Sequence, residues 1–163
     1  LMARLINSMT DVHNKTTRSK NMAAIKNRGT KPEKKLLHLL RKRGYSPLLN
    51  VKELPGTPDL VLPEYGVVIF VHGCFWHGHE NCKYFRLPAT RPEFWLNKIM
   101  HSKQRDKECI SQLLAEKYRV AIFWECSLRS LPLHMINFML SGFDAWIHDA
   151  SSDRIEFSSS TVS

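Results

Sequence analysis

Pro58-Asp59-Leu60-Val61-Leu62-Pro63-Glu64-Tyr65-Gly66-Val67-Val68-Ile69-Phe70-Val71-His72 decides the fold. Asp59 to Leu62 leaves the turn Pro55-Gly56-Thr57-Pro58 as a strand, and Pro63-Glu64-Tyr65-Gly66 makes the next turn. Val67 to Val71 is an unbroken apolar run, the pattern of a strand buried on both faces. The two segments read as a hairpin that ends at His72. Downstream, Arg119 to Trp124 is a further buried strand, and it delivers Cys126 at its C-terminal end.

Helical patterns lie on either side. In Thr30-Lys31-Pro32-Glu33, Thr is the N-cap, Pro stands just inside and Glu three residues on closes a capping box. Leu36, Leu37, Leu39 and Leu40 then make the buried stripe of a helix that stops at Gly44. Arg91 to Lys117 is mainly helical, with Phe94, Trp95, Ile99, Ile110, Leu113 and Leu114 at roughly helical spacing; Leu131 to Ile147 is a last helix. Thr16 to Gly29 reads as a basic helix with a small apolar face of Met22, Ala23 and Ile25. The order helix, hairpin, helix, strand, helix predicts one α/β domain around a mixed sheet flanked by helices. The expected division is a flexible N-terminal segment over 1–14, a domain over 15–149 and a poorly ordered, Ser-rich tail over 150–163. Met9-Thr10-Asp11 reads as a natural start, with the residues before it as an extension.

At 163 residues the chain fits one domain with a real core. No apolar run approaches the ~20 residues of a membrane helix, and the N-terminus lacks the pattern of a signal peptide. A cytoplasmic location is expected. The net charge of +9 is concentrated: Lys15 to Arg43 holds eleven Lys/Arg against one acid, Glu33. That excess points to a polyanion, nucleic acid first, because neutralising phosphates releases condensed counterions. A solvated, lysine-rich surface helix is the competing reading.

Val71-His72-Gly73-Cys74-Phe75-Trp76-His77-Gly78-His79-Glu80-Asn81-Cys82 carries the chemistry. Cys74, His79 and Cys82, joined by Cys126, supply three thiolates and one imidazole, a set that suits structural zinc. Buried thiols beside surface histidines would be the plainer explanation, but the loop has little apolar surface of its own, and an ion would supply the missing stability. His77 competes with His79 as a ligand; His79 is preferred for its closeness to Cys82, which frees His77 for chemistry. Cys109 reads as a bystander.

Asp59 opens one strand and Phe70-Val71-His72 closes the next. Many metal-dependent nucleases place an acid-x-Lys triplet where Phe70-Val71-His72 stands. The carboxylate is absent there, leaving Asp59 and the backbone carbonyl of Val71 as Mg²⁺ ligands, with His72 in the lysine position. A simple turn aspartate is the alternative. Phe75 and Trp76, in a polar, Gly-containing loop, suit stacking on bases, whereas Phe94 reads as core and Trp95 fits either role. Arg18, Lys20 and Asn21 suit the minor groove and Lys98 a phosphate or base edge, or each is a solvated surface residue. His101, His134 and His148 have no partner pattern.

The chain closely resembles the very short patch repair (Vsr) mismatch endonucleases, a branch of the PD-(D/E)xK nuclease superfamily. The resemblance runs from about Asp11 to Ile147. It is strongest in Thr17-Arg18-Ser19-Lys20-Asn21-Met22, Pro55-Gly56-Thr57-Pro58-Asp59, Val68-Ile69-Phe70-Val71-His72-Gly73-Cys74-Phe75-Trp76-His77, Pro88-Ala89-Thr90-Arg91-Pro92-Glu93-Phe94-Trp95 and Trp124-Glu125-Cys126. It implies a restriction-endonuclease-like fold and nicking of one DNA strand 5′ of the T in a T:G mismatch left by 5-methylcytosine deamination. It implies Asp59 and the Val71 carbonyl on Mg²⁺, His72 and His77 assisting hydrolysis, and Glu33 holding water at the metal. Cys74, His79, Cys82 and Cys126 fall on zinc ligands, and Phe75, Trp76 and Trp95 on aromatic wedges. Met22 matches a residue inserted from the opposite groove. A bacterial, cytoplasmic monomer is expected, with a MutL-type mismatch-repair protein as partner.

Two departures stand out: Val71 replaces a frequent Thr, and the loop His77 to Cys82 is one residue longer than the familiar form. Two rival readings are a zinc-stabilised DNA-binding module without catalysis and a related nuclease of other sequence or lesion preference.

Overall fold

The computed structural model describes residues 28–162, less the side chain of Val162. The basic segment before Arg28, with Arg18, Lys20, Asn21 and Met22, lies outside the described residues. In chain order the elements are α1 (Lys31–Lys42), β1 (Leu48–Leu49), β2 (Leu60–Leu62), a 3₁₀ turn (Pro63–Tyr65), β3 (Val67–His72), α2 (Pro92–Ala115), β4 (Arg119–Trp124), α3 (Glu125–Arg129), α4 (Leu133–His148), β5 (Arg154–Phe157) and α5 (Ser159–Val162). The strands form one five-stranded sheet in the order β1-β2-β3-β4-β5. β1, β2 and β3 pair antiparallel; β3, β4 and β5 run parallel. The sheet is therefore mixed, as expected, and the predicted hairpin is β2–β3.

Both central strands are covered on both sides, which is why their sequences do not alternate with polar residues. Val67 and Ile69 of β3 and Ala121 and Phe123 of β4 point into one core with Leu36 and Leu40 of α1 and Ile136, Leu140 and Phe143 of α4. Val68, Phe70, Val120 and Ile122 point the other way, onto Ile110 and Leu113 of α2. α1 begins at the predicted N-cap, with one bond of the capping box as expected and the other shifted: the Glu33 N–H donates to the Thr30 hydroxyl at 3.5 Å, while the Glu33 carboxylate accepts from Thr30 Oγ1 at 3.1 Å and from the N–H of the preceding Gly29 at 2.7 Å.

Two expectations are corrected. The segment after Ala150 is not a loose tail: Arg154–Phe157 is the parallel edge strand β5, paired with Val120 to Phe123. Its anchor is Phe157, whose ring stacks on Phe123 at 4.7 Å between centroids and sits 6.4 Å from that of Phe143. Two apolar residues at strand spacing, Ile155 and Phe157, outweigh the surrounding serines. Phe94, expected in the core, is 44% exposed. α2 turns its first-turn phenyl outward, under the Arg91 guanidinium 4.6 Å from the ring centroid.

Candidate active site and metal centre

β2 and β3 place the acid. Their pairing stops at Leu60 with Ile69. Beyond it, the Val71 N–H donates to Asp59 Oδ2 at 2.7 Å, so the carboxylate takes over where the ladder ends. Burial pushes the Asp59 carboxyl up to about 7; the Val71 N–H opposes that, the negative charge of Glu33 adds to it, and His77 works against it. Asp59 is thus a carboxyl held in a place that disfavours its own charge.

β3 ends on His72, which is 5% exposed. Its ring stacks on that of His77 with centroids 3.9 Å apart and planes within 1°. Burial first, then the neighbouring charges of His77 and Arg154, hold its pKa well below the usual imidazole value, so His72 is neutral near pH 7. His77 Nδ1 lies 2.6 Å from Asp106 Oδ2 on α2. The ionised carboxylate can only accept, so Nδ1 carries the proton and Nε2 is left for exchange. Asp106 was not legible in the sequence: it sits in the run Lys103-Gln104-Arg105-Asp106-Lys107-Glu108, where no residue pattern marks one charge from the next. Its one signal is position, i+4 from Ser102 and i−3 from Cys109, the inward face of α2.

These groups share one cavity of about 560 Å³, whose walls include Glu33, Asp59, Val71, His72, His77 and Asp106. Its rim includes two non-glycine residues with left-handed backbone, Asn50 at φ 47° and Thr57 at φ 46°. Such a conformation is an outlier for a β-branched residue, and strain of this kind gathers at functional sites. Beside Thr57, Gly56 (φ 76°) packs so closely that a Cβ would meet Cys109 Cβ at 3.1 Å and Sγ at 3.2 Å. Cys109 therefore shapes the cavity wall and is no ligand of the cysteine cluster.

The loop after β3 and the start of α3 build a second centre. The side-chain donors of Cys74, His79, Cys82 and Cys126 all lie within 4.8 Å of one another, while His77 groups separately with His72 and Asp106. The longer loop still brings His79 to the sulfurs, its Nδ1 3.6 Å from Cys126 Sγ and its ring stacked on Trp124 at 4.1 Å. The Cys74 thiol donating to Cys126, together with Ser159 and His79, pushes Cys126 down to about 4, while the same shared proton drives Cys74 up. The Ser159 N–H reaches Cys126 Sγ at 3.3 Å, so the C-terminal segment also supports this centre. Three sulfurs and an imidazole this close cannot all ionise without a cation between them, and this donor set could hold a tetrahedral metal ion. Gly78 (φ 62°) lets the loop approach α2: a Cβ there would meet Ile99 Cγ2 at 2.7 Å.

On the far side of the loop Phe75, Trp76 and Trp95 pack edge to face, with centroids 5.0 Å (Phe75–Trp76), 5.7 Å (Phe75–Trp95) and 6.1 Å (Trp76–Trp95) apart. All three are partly exposed, and the Lys98 ammonium stands over both indoles at 5.6 and 5.7 Å. Phe94 extends this wall to solvent, its ring 5.2 Å from that of Trp95.

A family model described as DNA mismatch endonuclease Vsr matches residues 10–84. The DNA mismatch endonuclease Vsr of Escherichia coli (strain K12) is 48% identical over 139 residues, 85% of this chain and 88% of that protein. The type II nicking enzyme V.XorIIP of Xanthomonas oryzae pv. oryzae is 43% identical, with 76% of this chain and 90% of the relative covered. V.NmeAIP, a type II nicking enzyme of Neisseria meningitidis, is 37% identical over 75% of this chain and 86% of its own length. Fold, site and relatives together make this chain a DNA endonuclease, which sets aside the reading as a binding module without catalysis. It belongs to the Vsr family of DNA mismatch endonucleases. Among the described residues no helix is long and apolar enough to cross a membrane.

Proposed function

We propose that the protein nicks one strand of duplex DNA 5′ of the T in a T:G mismatch produced by 5-methylcytosine deamination, initiating very short patch repair. The observation that carries this reading is the convergence of Asp59, Glu33, His72 and the His77–Asp106 pair on one cavity, with His77 carried by the same loop as the partly exposed Phe75 and Trp76.

Asp59 and the Val71 carbonyl are the proposed holders of Mg²⁺, with Glu33 orienting water near it. A divalent cation fits there because it relieves the cost of an ionised carboxylate that burial otherwise pushes up to about 7. When bound, the ion neutralises charge on the phosphorane-like transition state. Hydrolysis also needs a proton moved between water and the leaving 3′ oxygen. His77 is the residue for it: Asp106 fixes its tautomer and steadies the imidazolium that forms. His72, buried and neutral, positions the phosphate and supports the His77 ring from behind. Cys74, His79, Cys82 and Cys126 are the proposed zinc ligands, and the ion's role is to hold the loop that carries both His77 and the aromatics.

Mismatch selectivity has a physical source in the aromatic wall. Wedging side chains between base pairs costs a few kcal/mol of unstacking, less at a wobble pair, and Phe75, Trp76 and Trp95 recover roughly 1–3 kcal/mol per stacked base. Lys98 would meet a phosphate or base edge there, and Arg18, Lys20, Asn21 and Met22 would act from the minor groove. The protein is read as a bacterial, cytoplasmic monomer, with a MutL-type mismatch-repair protein as a partner. The test is a nicking assay on duplexes carrying T:G or T:A in several sequence contexts, with Mg²⁺ or chelator. Nicking of T:G alone, abolished by chelator, is expected; equal cutting of T:A contradicts the reading and leaves a related nuclease of other preference.

A further inference from the structure

The catalytic cavity has an unbalanced charge. Glu33, Asp59 and Asp106 line it, Asp106 hydrogen-bonded to His77, and the arginines facing them are Arg28 at one end and Arg105 on α2. A phosphodiester entering such a site adds another negative charge, and the transition state of hydrolysis spreads still more over its non-bridging oxygens. A divalent cation together with Arg28 still leaves the site short of one positive charge.

α2 supplies a fixed cation at this wall. Ser102, Arg105, Asp106 and Cys109 follow one another at helical spacing and all line the cavity. Arg105 is the residue next to the one that buttresses His77, so the same helix positions guanidinium and catalytic imidazole. It is exposed, and among the described residues it makes no hydrogen bond or ion pair. Its neighbours are otherwise engaged: Lys103 is tied to Glu80 at 2.8 Å, Gln104 to Glu108 at 2.9 Å and Asp106 to His77 at 2.6 Å. An arginine with no partner among the described residues, on the same cavity wall as three carboxylates it does not pair with, is placed for an anion that comes from outside.

We infer that Arg105 is a catalytic residue: it clamps the non-bridging oxygens of the scissile phosphate through its planar fork and stabilises the charge that builds in the transition state. The inference deepens the nicking reading and rests on it. Lysine cannot reproduce a bidentate clamp, so the two substitutions R105A and R105K separate charge from geometry.

The experiment measures single-turnover nicking of a T:G duplex at saturating DNA, and DNA affinity without divalent cation across a salt series. R105A is expected to lower the saturated rate by about 100-fold or more, as loss of a transition-state donor does, and to reduce the slope of log affinity against log salt by about one phosphate's worth. R105K is expected to restore the slope and leave most of the rate loss. Parental nicking with R105A equally fast overturns the role of Arg105 and leaves the nicking reading intact, as does a rate loss that vanishes when DNA is raised. A parental protein that does not nick T:G contradicts the reading itself and takes the inference with it.

Discussion

His77 Nδ1 and Asp106 Oδ2 lie 2.6 Å apart, a single hydrogen bond that joins the cysteine-rich loop to the middle of α2. D106N keeps the shape but can present its amide N–H to the ring, which favours the wrong tautomer. The nicking rate of D106N is expected to fall by about 10²–10⁴-fold, the usual range for general acid–base catalysis, with the metal content of the cysteine centre unchanged. A D106N protein nicking at the parental rate would remove proton transfer from His77.

Asp59 carries a cost in stability that reads out as a pH dependence. Its folded pKa of about 7 lies above the unfolded value of 3.8, so the folded state holds the proton more tightly. Its contribution is fully present below about pH 4 and is lost as pH rises through about 7. Without divalent cation, D59N is expected to be more stable than the parent at pH 8, by on the order of a few kcal/mol, and therefore to melt higher there, while differing little from it at pH 4. Thermal melting at both pH values decides it; equal melting at pH 8 would mean that the carboxylate is not strained. Mg²⁺ is expected to narrow the gap by binding the parent alone.

Removal of metal from the cysteine centre should be felt as loss of structure. C126S is expected to bind less than one zinc per chain and to melt far lower, because the loop from Gly73 to Cys82 gives the buried apolar core only Cys74. C109S, outside the cluster, is expected to keep the metal and the stability of the parent. Metal analysis paired with melting curves checks both, and full zinc occupancy in C126S would dismiss this cysteine as a ligand.

The C-terminal strand is a stability element. Phe157 is buried against Phe123 and Phe143, so F157A is expected to cost about 3–5 kcal/mol in chemical denaturation. A cost below about 1 kcal/mol would show that β5 contributes little.

Much of this site was legible because its residues are scarce types at short spacing. Cys74, His79 and Cys82 lie within one loop, and Cys126 follows an apolar run that can hardly be anything but a buried strand. His79 and His77 could be told apart by closeness to Cys82, and the geometry separates them the same way. Asp59 and His72 stand at ends of strands that hydrophobicity alone marks. The hidden parts depend on tertiary context. Asp106 and Arg105 belong to a helix whose charges look alike until the sheet decides which face turns inward. Phe94 follows apolar helical spacing yet faces solvent, and β5 hides in a serine-rich segment because two inward residues are too few to make a pattern.

The central claim is that Asp59 and the neighbouring histidines cut DNA while the aromatic wall finds the mismatch. The most direct measurement compares parental protein, D59N and W76A on matched T:G and T:A duplexes with Mg²⁺, scoring nicking and binding together. The account predicts a nick 5′ of the T in T:G only, binding without nicking by D59N, and weaker T:G binding by W76A. Nicking by D59N at the parental rate, or a parental protein that cuts both duplexes alike, would contradict it.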